Sequence, residues 1–383
     1  MKAMITVLTV ATLALSSEGG EIFVYGNPAH GLGIIPDLPE GECYIAIGSG
    51  PVANHILAAR SDGEVVAWGQ NDYGQCDVPA ECFGATAVGA LQYGSIALLT
   101  DGSIERWGSA SSSTPSYPSP FVALAAGGAH FIGLRENGVV QAVGWNEYGQ
   151  SEEPYPMEGY IAVGAGRNHT LAVKASDGMV IAWGQNQYGQ CDVPDSGVGP
   201  YTAVAGGEYH SIALRSNGSV RAWGRNNYGQ CTVPSPNSGF VAVAAGGDFS
   251  MALRANGTVV AWGENSDGQC NINGLTGVVA IAAGWNHSVA LTEFYLSANP
   301  SPEGSFEECR LSLSQNPFAG VLNVTAPGAE SIRIYDISGR IVGEIINSDT
   351  FNWNSSDCPN GMYLFVATLE DGKVVAARAV RAE

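Results

Sequence analysis

Positive charge is scarce in this 383-residue chain, with 16 Lys and Arg against 36 Asp and Glu and a formal net charge of −20. Nucleic acids and anionic lipids are bound by neutralising their phosphates with Lys and Arg, so neither is a fitting partner. Long apolar runs are lacking too. Ala3–Leu15 is too short to cross a bilayer, and no later run comes near the required length. There is no Cys-x-x-Cys, which removes the usual zinc framework. No Gly-x-Ser-x-Gly elbow, His-Glu-x-x-His helix, phosphate-binding Gly-rich loop or EF-hand spacing occurs either. No stretch carries a helical apolar period. The residues imply no catalytic set, metal or cofactor.

What the chain has in excess is glycine, 51 residues, without the period of collagen. The glycines follow a repeat. Trp-Gly recurs at Trp68, Trp107, Trp183, Trp223 and Trp262, with Val143-Gly144 at the missing place and Tyr25-Gly26 as an earlier, degenerate copy. The best-kept unit, Tyr201 to Pro234, reads as four short strands. Thr202–Ala205 leads to a Gly206-Gly207 corner, then come His210–Leu214, an Asn217-Gly218 turn and Val220–Trp223. A fourth strand is expected after Tyr228-Gly229-Gln230, ending at Pro234. The turn recurs at Asp62-Gly63, Asp101-Gly102, Asn137-Gly138, Asp177-Gly178 and Asn256-Gly257, and type I′ geometry is expected there. Four antiparallel strands every 40 residues or so make the blade of a propeller.

The blade count is seven. The first half of a unit at Ala282–Leu291 has no Trp-Gly after it, and the second half at Glu21–Tyr25 has no corner before it. Together they complete one blade and leave no exposed edge strand. The same count bears on the N-terminus. A basic start, an apolar run and small residues at Ala14 and Ser16 read as a secretory signal over residues 1–17, cleaved near Ser16. The competing reading is a retained strand, because Thr12–Gly26 aligns on Thr170–Gly184 without gaps. His287–Thr292 already fills that place, which favours the signal. Eight cysteines suit an exported chain. Cys76 with Cys82 and Cys309 with Cys358 are the pairings to test.

The Gly-Gly-x-x-His, Asn/Asp-Gly and Trp-Gly-x-Asn-x-Tyr-Gly-Gln series resembles the regulator-of-chromosome-condensation repeat, in particular its bacterial, secreted β-lactamase inhibitor protein II-like branch. The resemblance covers about Glu21 to Thr292. It implies a seven-bladed propeller that binds proteins with its loops and has no catalytic residues. The polar segment 297–309, with Pro300 and Pro302, reads as a linker. From Arg310 on, short strands at Leu322–Thr325, Ser331–Asp336, Ile341–Ile345 and near Val374–Val380 indicate a small β-sandwich. Asn316-Pro317-Phe318, the turn Asp336–Arg340 and Gly361-Met362-Tyr363 resemble the sorting domain of type IX secretion cargo. That implies export by the secretion machinery to the bacterial surface or beyond. An ordinary immunoglobulin-like or carbohydrate-binding sandwich is the alternative.

The expected architecture is therefore all-β. A signal (1–17) precedes a seven-bladed β-propeller (18–296) closed by its N- and C-terminal strands, and a linker (297–309) leads to a β-sandwich (310–383). His55, His130, His169, His210 and His287 occupy one repeat position, replaced by Gly94 and Phe249, and so read as blade construction around the corner backbone. The Trp-Gly tryptophans read as packing between blades. Corner and Trp-Gly loops share one face by strand parity, and their tips vary, as recognition loops on a fixed frame do. Tyr93, Trp145, Tyr209, Asp248, Trp285 and Asn286 are the expected binding residues. Tyr73, Tyr148, Tyr188 and Tyr228 recur, and loop shaping alone would explain them. The expected function is that of an exported, monomeric, non-enzymatic protein that binds a protein, or in second place a glycan. An inhibitor of an extracellular enzyme such as a β-lactamase is the alternative, and a propeller hydrolase or lyase comes third. Residues 310–383 hold 6 basic and 8 acidic side chains, leaving 10 against 28 before them. The acidity thus lies on the propeller side and fits a basic or neutral partner.

Overall fold

Each blade is built on a hairpin. The computed structural model describes residues 20–39, 42–109, 120–152, 156, 158–194, 200–272 and 274–292, and the strands between residues 312 and 381. β1 (Ile22–Gly26) stands alone at the start. Blade 1 follows with β2 (Tyr44–Gly48), β3 (His55–Arg60) and β4 (Val65–Gly69). Blade 2 has β5 (Ala85–Ala90), β6 (Gly94–Leu99) and β7 (Ile104–Gly108), and blade 3 has β8 (Phe121–Ala126), β9 (His130–Arg135) and β10 (Val140–Gly144). Blade 4 has β11 (Tyr160–Ala165), β12 (His169–Lys174) and β13 (Val180–Gly184). Blade 5 has β14 (Tyr201–Gly206), β15 (His210–Arg215) and β16 (Val220–Gly224). Blade 6 has β17 (Phe240–Ala245), β18 (Phe249–Arg254) and β19 (Val259–Gly263). Blade 7 has β20 (Val278–Ala283) and β21 (His287–Thr292), and β1 completes it. Ile22 lies opposite Leu291 and Gly26 opposite His287, so the ends of the propeller close the ring as the repeat count requires.

Two local expectations change. The hairpin turns are not type I′, because only the glycine takes a positive φ, as at Gly218 (φ 77), and the Asn or Asp before it does not. The Gly218 N–H donates to the Arg215 carbonyl at 2.9 Å, and the Arg215 N–H donates to Ser219 at 2.8 Å. That is a type I turn closed by a glycine bulge. Asn217 holds it by accepting the Ser219 N–H on Oδ1 at 3.0 Å.

The second change is in strand number, because the blades have three strands, not four. The segment Gln230–Pro234 is irregular, with the N–H groups of Cys231 and Thr232 engaged within its own loop and the Gln230 carbonyl committed to Ser250 and Trp262. Asn226 Oδ1 accepts the Cys231 N–H at 2.8 Å, Gly229 accepts from the Thr232 N–H at 2.8 Å, and Pro234 has no N–H to give.

Side chains from neighbouring blades make the core. Ala203, Ile212, Leu214 and Val220 of blade 5 pack with Phe240, Val243, Ala252 and Trp262 of blade 6. No blade buries its faces alone, which is why stacking neighbours is the unit of stability. The inner strands leave a central channel lined by small apolar residues such as Ala126, Val163, Ala205, Val243 and Ala282.

The strands after residue 310 form a second unit. β22 (Ser312–Leu313), β23 (Val321–Thr325) and β26 (Thr350–Asn354) make one antiparallel sheet. β24 (Ala329–Asp336), β25 (Ile341–Ile346), β27 (Gly361–Leu369) and β28 (Val374–Arg381) make the other. Leu322, Val324 and Trp353 are buried in the first, and Ile332 and Ile334 in the second, while Glu330, Arg333 and Asn352 are exposed. One face of each sheet is thus covered, as in a two-layer sandwich. Residues 1–17, the linker 297–309, Asn316-Pro317-Phe318, Cys309 and Cys358 lie outside the described residues. Cys76 and Cys82 are not bridged. Both thiols are free, and Cys76 Sγ donates to the Gln70 carbonyl at 3.3 Å, the bond its repeat position calls for.

Candidate functional site

The recurring histidines lie beneath the site and are closed to solvent. His210 donates from Nε2 to Ser250 Oγ of the next blade at 2.9 Å, and Ser250 in turn donates to the Gln230 carbonyl at 2.9 Å. Trp262 Nε1 donates to that same carbonyl at 2.9 Å. His55 reaches Ser95 in this way, His130 reaches Thr170, and His169 reaches Ser211. His287 of the last blade reaches Ser49 instead, because Ile56 holds the hydroxyl's place in blade 1. The expected bond to the Gly-Gly corner backbone is not the one formed: each ring reaches a hydroxyl across the seam, and that hydroxyl donates to a carbonyl outside the corner, such as Gln230. Burial lowers these histidines to about 4 at His55, His130 and His210, and to about 3 at His169 and His287. They are neutral, sealed and of no use as general bases. The glutamines Gln75, Gln150, Gln190, Gln230 and Gln269, all fully buried, were legible only as the last letter of the repeated Gly-Gln pair, with no sign of their burial.

One bond, repeated in all seven blades, builds the face above. The residue after Trp-Gly donates its N–H to the residue before the histidine position. Arg225 bonds Tyr209 at 2.9 Å, Ser109 bonds Tyr93 at 2.8 Å, and Asn27 bonds Asn286 at 2.9 Å. Corner and Trp-Gly loops therefore share a face, as strand parity requires. The glycine of Trp-Gly makes this contact possible: at Gly224 (φ +98) a Cβ would stand 2.7 Å from the Tyr209 carbonyl. Corner residues also bond around the ring, Arg167 to Gly207 at 3.1 Å, Gly247 to Trp285 at 3.1 Å and Trp285 to Ala53 at 3.0 Å.

Within this face the structure gathers Tyr209 and Asp248 and leaves Tyr93 and Trp145 elsewhere. Arg225 lies over three tyrosines, with its guanidinium carbon 5.6 Å from the Tyr188 and Tyr209 rings and 5.9 Å from Tyr228. Its Nη1 pairs with Asp248 at 3.3 Å, and Gln230 Nε2 donates to the other Asp248 oxygen at 2.7 Å. Burial raises the Asp248 carboxyl while Arg225 opposes the shift. On the other side of Tyr209, Arg167 pairs with Glu208 and donates to the Tyr209 hydroxyl at 3.1 Å. Burial and then Glu208 push the Tyr209 phenol up. Tyr188 and Tyr209 meet as a tilted pair with centroids 5.0 Å apart and planes at 58°.

Trp285, 42% exposed, extends the face into blade 7. Its indole lies over Gly247, where a Cβ would stand 2.5 Å from the ring. Asn286 is half-buried and contributes its carbonyl to Asn27. Trp145, 54% exposed, tops blade 3, and Tyr93 pairs with Tyr73 across blades 1 and 2, with centroids 4.6 Å apart. The recurring tyrosines are 45–53% exposed and belong to the face, beyond any shaping of their loops. Arg225 was missed. Its signal was available, since the residue after Trp-Gly varies around the ring: Asn27, Gln70, Ser109, Trp145, Gln185, Arg225 and Glu264, with only glutamine occurring twice. Among the described residues no group of three or more His, Cys, Asp or Glu could hold a metal ion.

Comparison with known proteins follows this geometry closely. Residues 45–75, 121–150, 160–190, 201–230 and 240–269 match the regulator of chromosome condensation (RCC1) repeat. The two blades without a match are blade 2, where Gly94 replaces the histidine, and the split blade 7. Residues 316–380 match the secretion system C-terminal sorting domain. No curated protein matches the chain. Among solved structures, Prp20p of Saccharomyces cerevisiae, described with its binding to Gsp1p and histones, is 19% identical with a TM-score of 0.63. The match covers 74% of this chain and 94% of that one. Human WBSCR16 is 17% identical with a TM-score of 0.57, over 73% of this chain and 100% of that one. The ectodomain of the receptor kinase CR4 of Physcomitrella patens is 21% identical with a TM-score of 0.53, over 67% and 74%. At such identities the likeness is one of fold.

Proposed function

From a chain that carries five RCC1 repeats in a propeller and ends in a type IX secretion sorting domain, and is hence a bacterial secreted or surface-attached protein, we propose a non-enzymatic binding protein. Its propeller presents the corner face to a protein partner. One observation carries this reading: exposed aromatics and charged pairs vary around a face whose supporting backbone bond is the same in all seven blades. Tyr, Trp and Arg are the side chains that dominate protein interfaces, and here they are held rigid in advance. Support against catalysis comes from the sealed, neutral histidines. Prp20p is described with protein partners, and protein binding as a class fits the acidic propeller here as well.

The test is capture by the full-length protein from surface and secreted fractions, compared with Trp285→Ala plus Tyr209→Ala. Loss of the captured protein with an unchanged fold supports the site, and equal capture refutes it. Deleting Arg310–Glu383 is expected to leave the propeller folded but trapped short of the outer surface. A truncated chain that still reaches the surface refutes the sorting role.

A further inference from the structure

The corner face holds the same tyrosine pair twice, once closed and once open. In blades 4 and 5, Tyr188 of the Trp-Gly loop meets Tyr209 of the next corner, and two arginines cover them, Arg225 at 5.6 Å and Arg167 at 5.8 Å from the Tyr209 ring. In blades 1 and 2, Tyr73 meets Tyr93 in the same positions, five residues after Trp68 and one before Gly94. Every charge of the first arrangement is missing from the second. Ser109 stands where Arg225 stands, and both make the same backbone bond, Ser109 N–H to Tyr93 and Arg225 N–H to Tyr209. Ala53 takes the place of Arg167, Gln92 that of Glu208, and Ala129 that of Asp248. Gln92 Nε2 donates to the Tyr93 hydroxyl at 3.0 Å, as Arg167 does to Tyr209. Among the described residues no cation of the chain lies over Tyr73 or Tyr93. The two rings are 53% and 39% exposed, and Asp72 beside Tyr73 is exposed as well.

We infer that the Tyr73–Tyr93 notch receives an arginine side chain of the protein partner, in the place that Arg225 fills within the chain at Tyr188–Tyr209. This rests on the reading of the corner face as a protein-binding face and names one chemical feature of its partner. A guanidinium is drawn to the face of a tyrosine ring and is more weakly hydrated than an ammonium, so it gives up less on entering a notch of two rings. The surplus of acid on the propeller side, 28 against 10, favours the approach of a basic segment. Asp72 supplies a carboxylate next to the notch, a counter-charge that Gln187 does not offer at the closed pair.

The probe is Nα-acetyl-arginine amide, titrated into the full-length protein with labelled tyrosine rings and followed by NMR. Acetyl-citrulline amide serves as the uncharged counterpart. The resonances of Tyr73 and Tyr93 are expected to move with arginine and at least about tenfold less with citrulline at equal concentration. Ser109→Arg, which installs the chain's own cap and gives up the exposed Ser109 Oγ bond to the Tyr93 carbonyl, is expected to abolish the response while the fold is retained. Arg225→Ser is expected to make Tyr188 and Tyr209 responsive. No response of Tyr73 and Tyr93 in the native protein, an equal response to citrulline, or an undiminished one in a folded Ser109→Arg protein would each overturn the inference. If a captured partner is lost from the Trp285→Ala plus Tyr209→Ala variant but held by Ser109→Arg, this inference falls while the binding face stands.

Discussion

The seams between blades and the face above them are built from different residue types put to opposite ends. In the seams, histidine, serine and glutamine are buried, paired and repeated. On the face, tyrosine, tryptophan, arginine and acids are mostly exposed or half-exposed and, apart from the recurring Tyr73, Tyr148, Tyr188 and Tyr228, vary between blades. The difference lies in what each position can tolerate. A seam residue must satisfy a partner about 40 positions away, so a change there leaves a buried polar group unpaired. A loop-tip residue is supported by backbone bonds that any side chain permits. Two seams show the rule by breaking it. Gly94 has no ring to reach blade 3, and there Phe131, fully buried, stands at the hydroxyl's place. Phe249 has a ring without a donor, and Ser288 Oγ across from it is buried with no partner.

Acid should separate seam from face most strongly. The five seam histidines titrate at about 3 to 4 when folded, against 6.5 in the open chain. Below pH 6.5 the unfolded chain binds protons that the folded one refuses. The stability present above pH 6.5 is therefore lost as pH falls toward 4, by about 1.4 kcal/mol per unit for each histidine. A melting temperature that drops steeply from pH 6.5 to 4 is expected in thermal scans. A flat profile would show that these rings are not buried neutral. Next in size is His210→Ala, which empties a packed site and strands Ser250. A loss of about 3 kcal/mol in denaturant unfolding is expected.

The serines sharpen the comparison further. Ser250→Ala breaks two buried bonds and should cost about 2 kcal/mol, whereas Ser288→Ala removes an unpaired hydroxyl and should be neutral or stabilising by about 1 kcal/mol. Equal effects would mean the seams are held by packing alone. Smallest in stability is Trp285→Ala with Tyr209→Ala, expected to cost no more than about 1 kcal/mol because both side chains end at the surface.

Much of the frame was legible because it rests on local chemistry. Asn-Gly and Asp-Gly mark the hairpins, Trp-Gly sets the period, and the two orphan halves at Glu21–Tyr25 and Ala282–Leu291 give both the blade count and its closure. The turn type was not legible, since Asn217 can enter the left-handed region but is held out of it by its bond to Ser219. The fourth strand was not legible either, because Thr232 and Val233 have strand-like side chains in a loop whose backbone is already satisfied. At the site, Tyr209, Asp248 and Trp285 were found as variations in the corner. Arg225, which joins Tyr209 to Asp248, stood out in sequence only as one variant of the residue after Trp-Gly, because its partners come from three different blades and no linear spacing displays that proximity.

The division between frame and face is tested most directly by capture on the full-length protein, with the double variant Trp285→Ala plus Tyr209→Ala beside Ser250→Ala. The double variant is expected to keep its melting temperature and lose the partner, while Ser250→Ala melts earlier and still holds the partner below its transition. A double variant that captures the partner as well as the native protein would contradict the assignment of binding to this face.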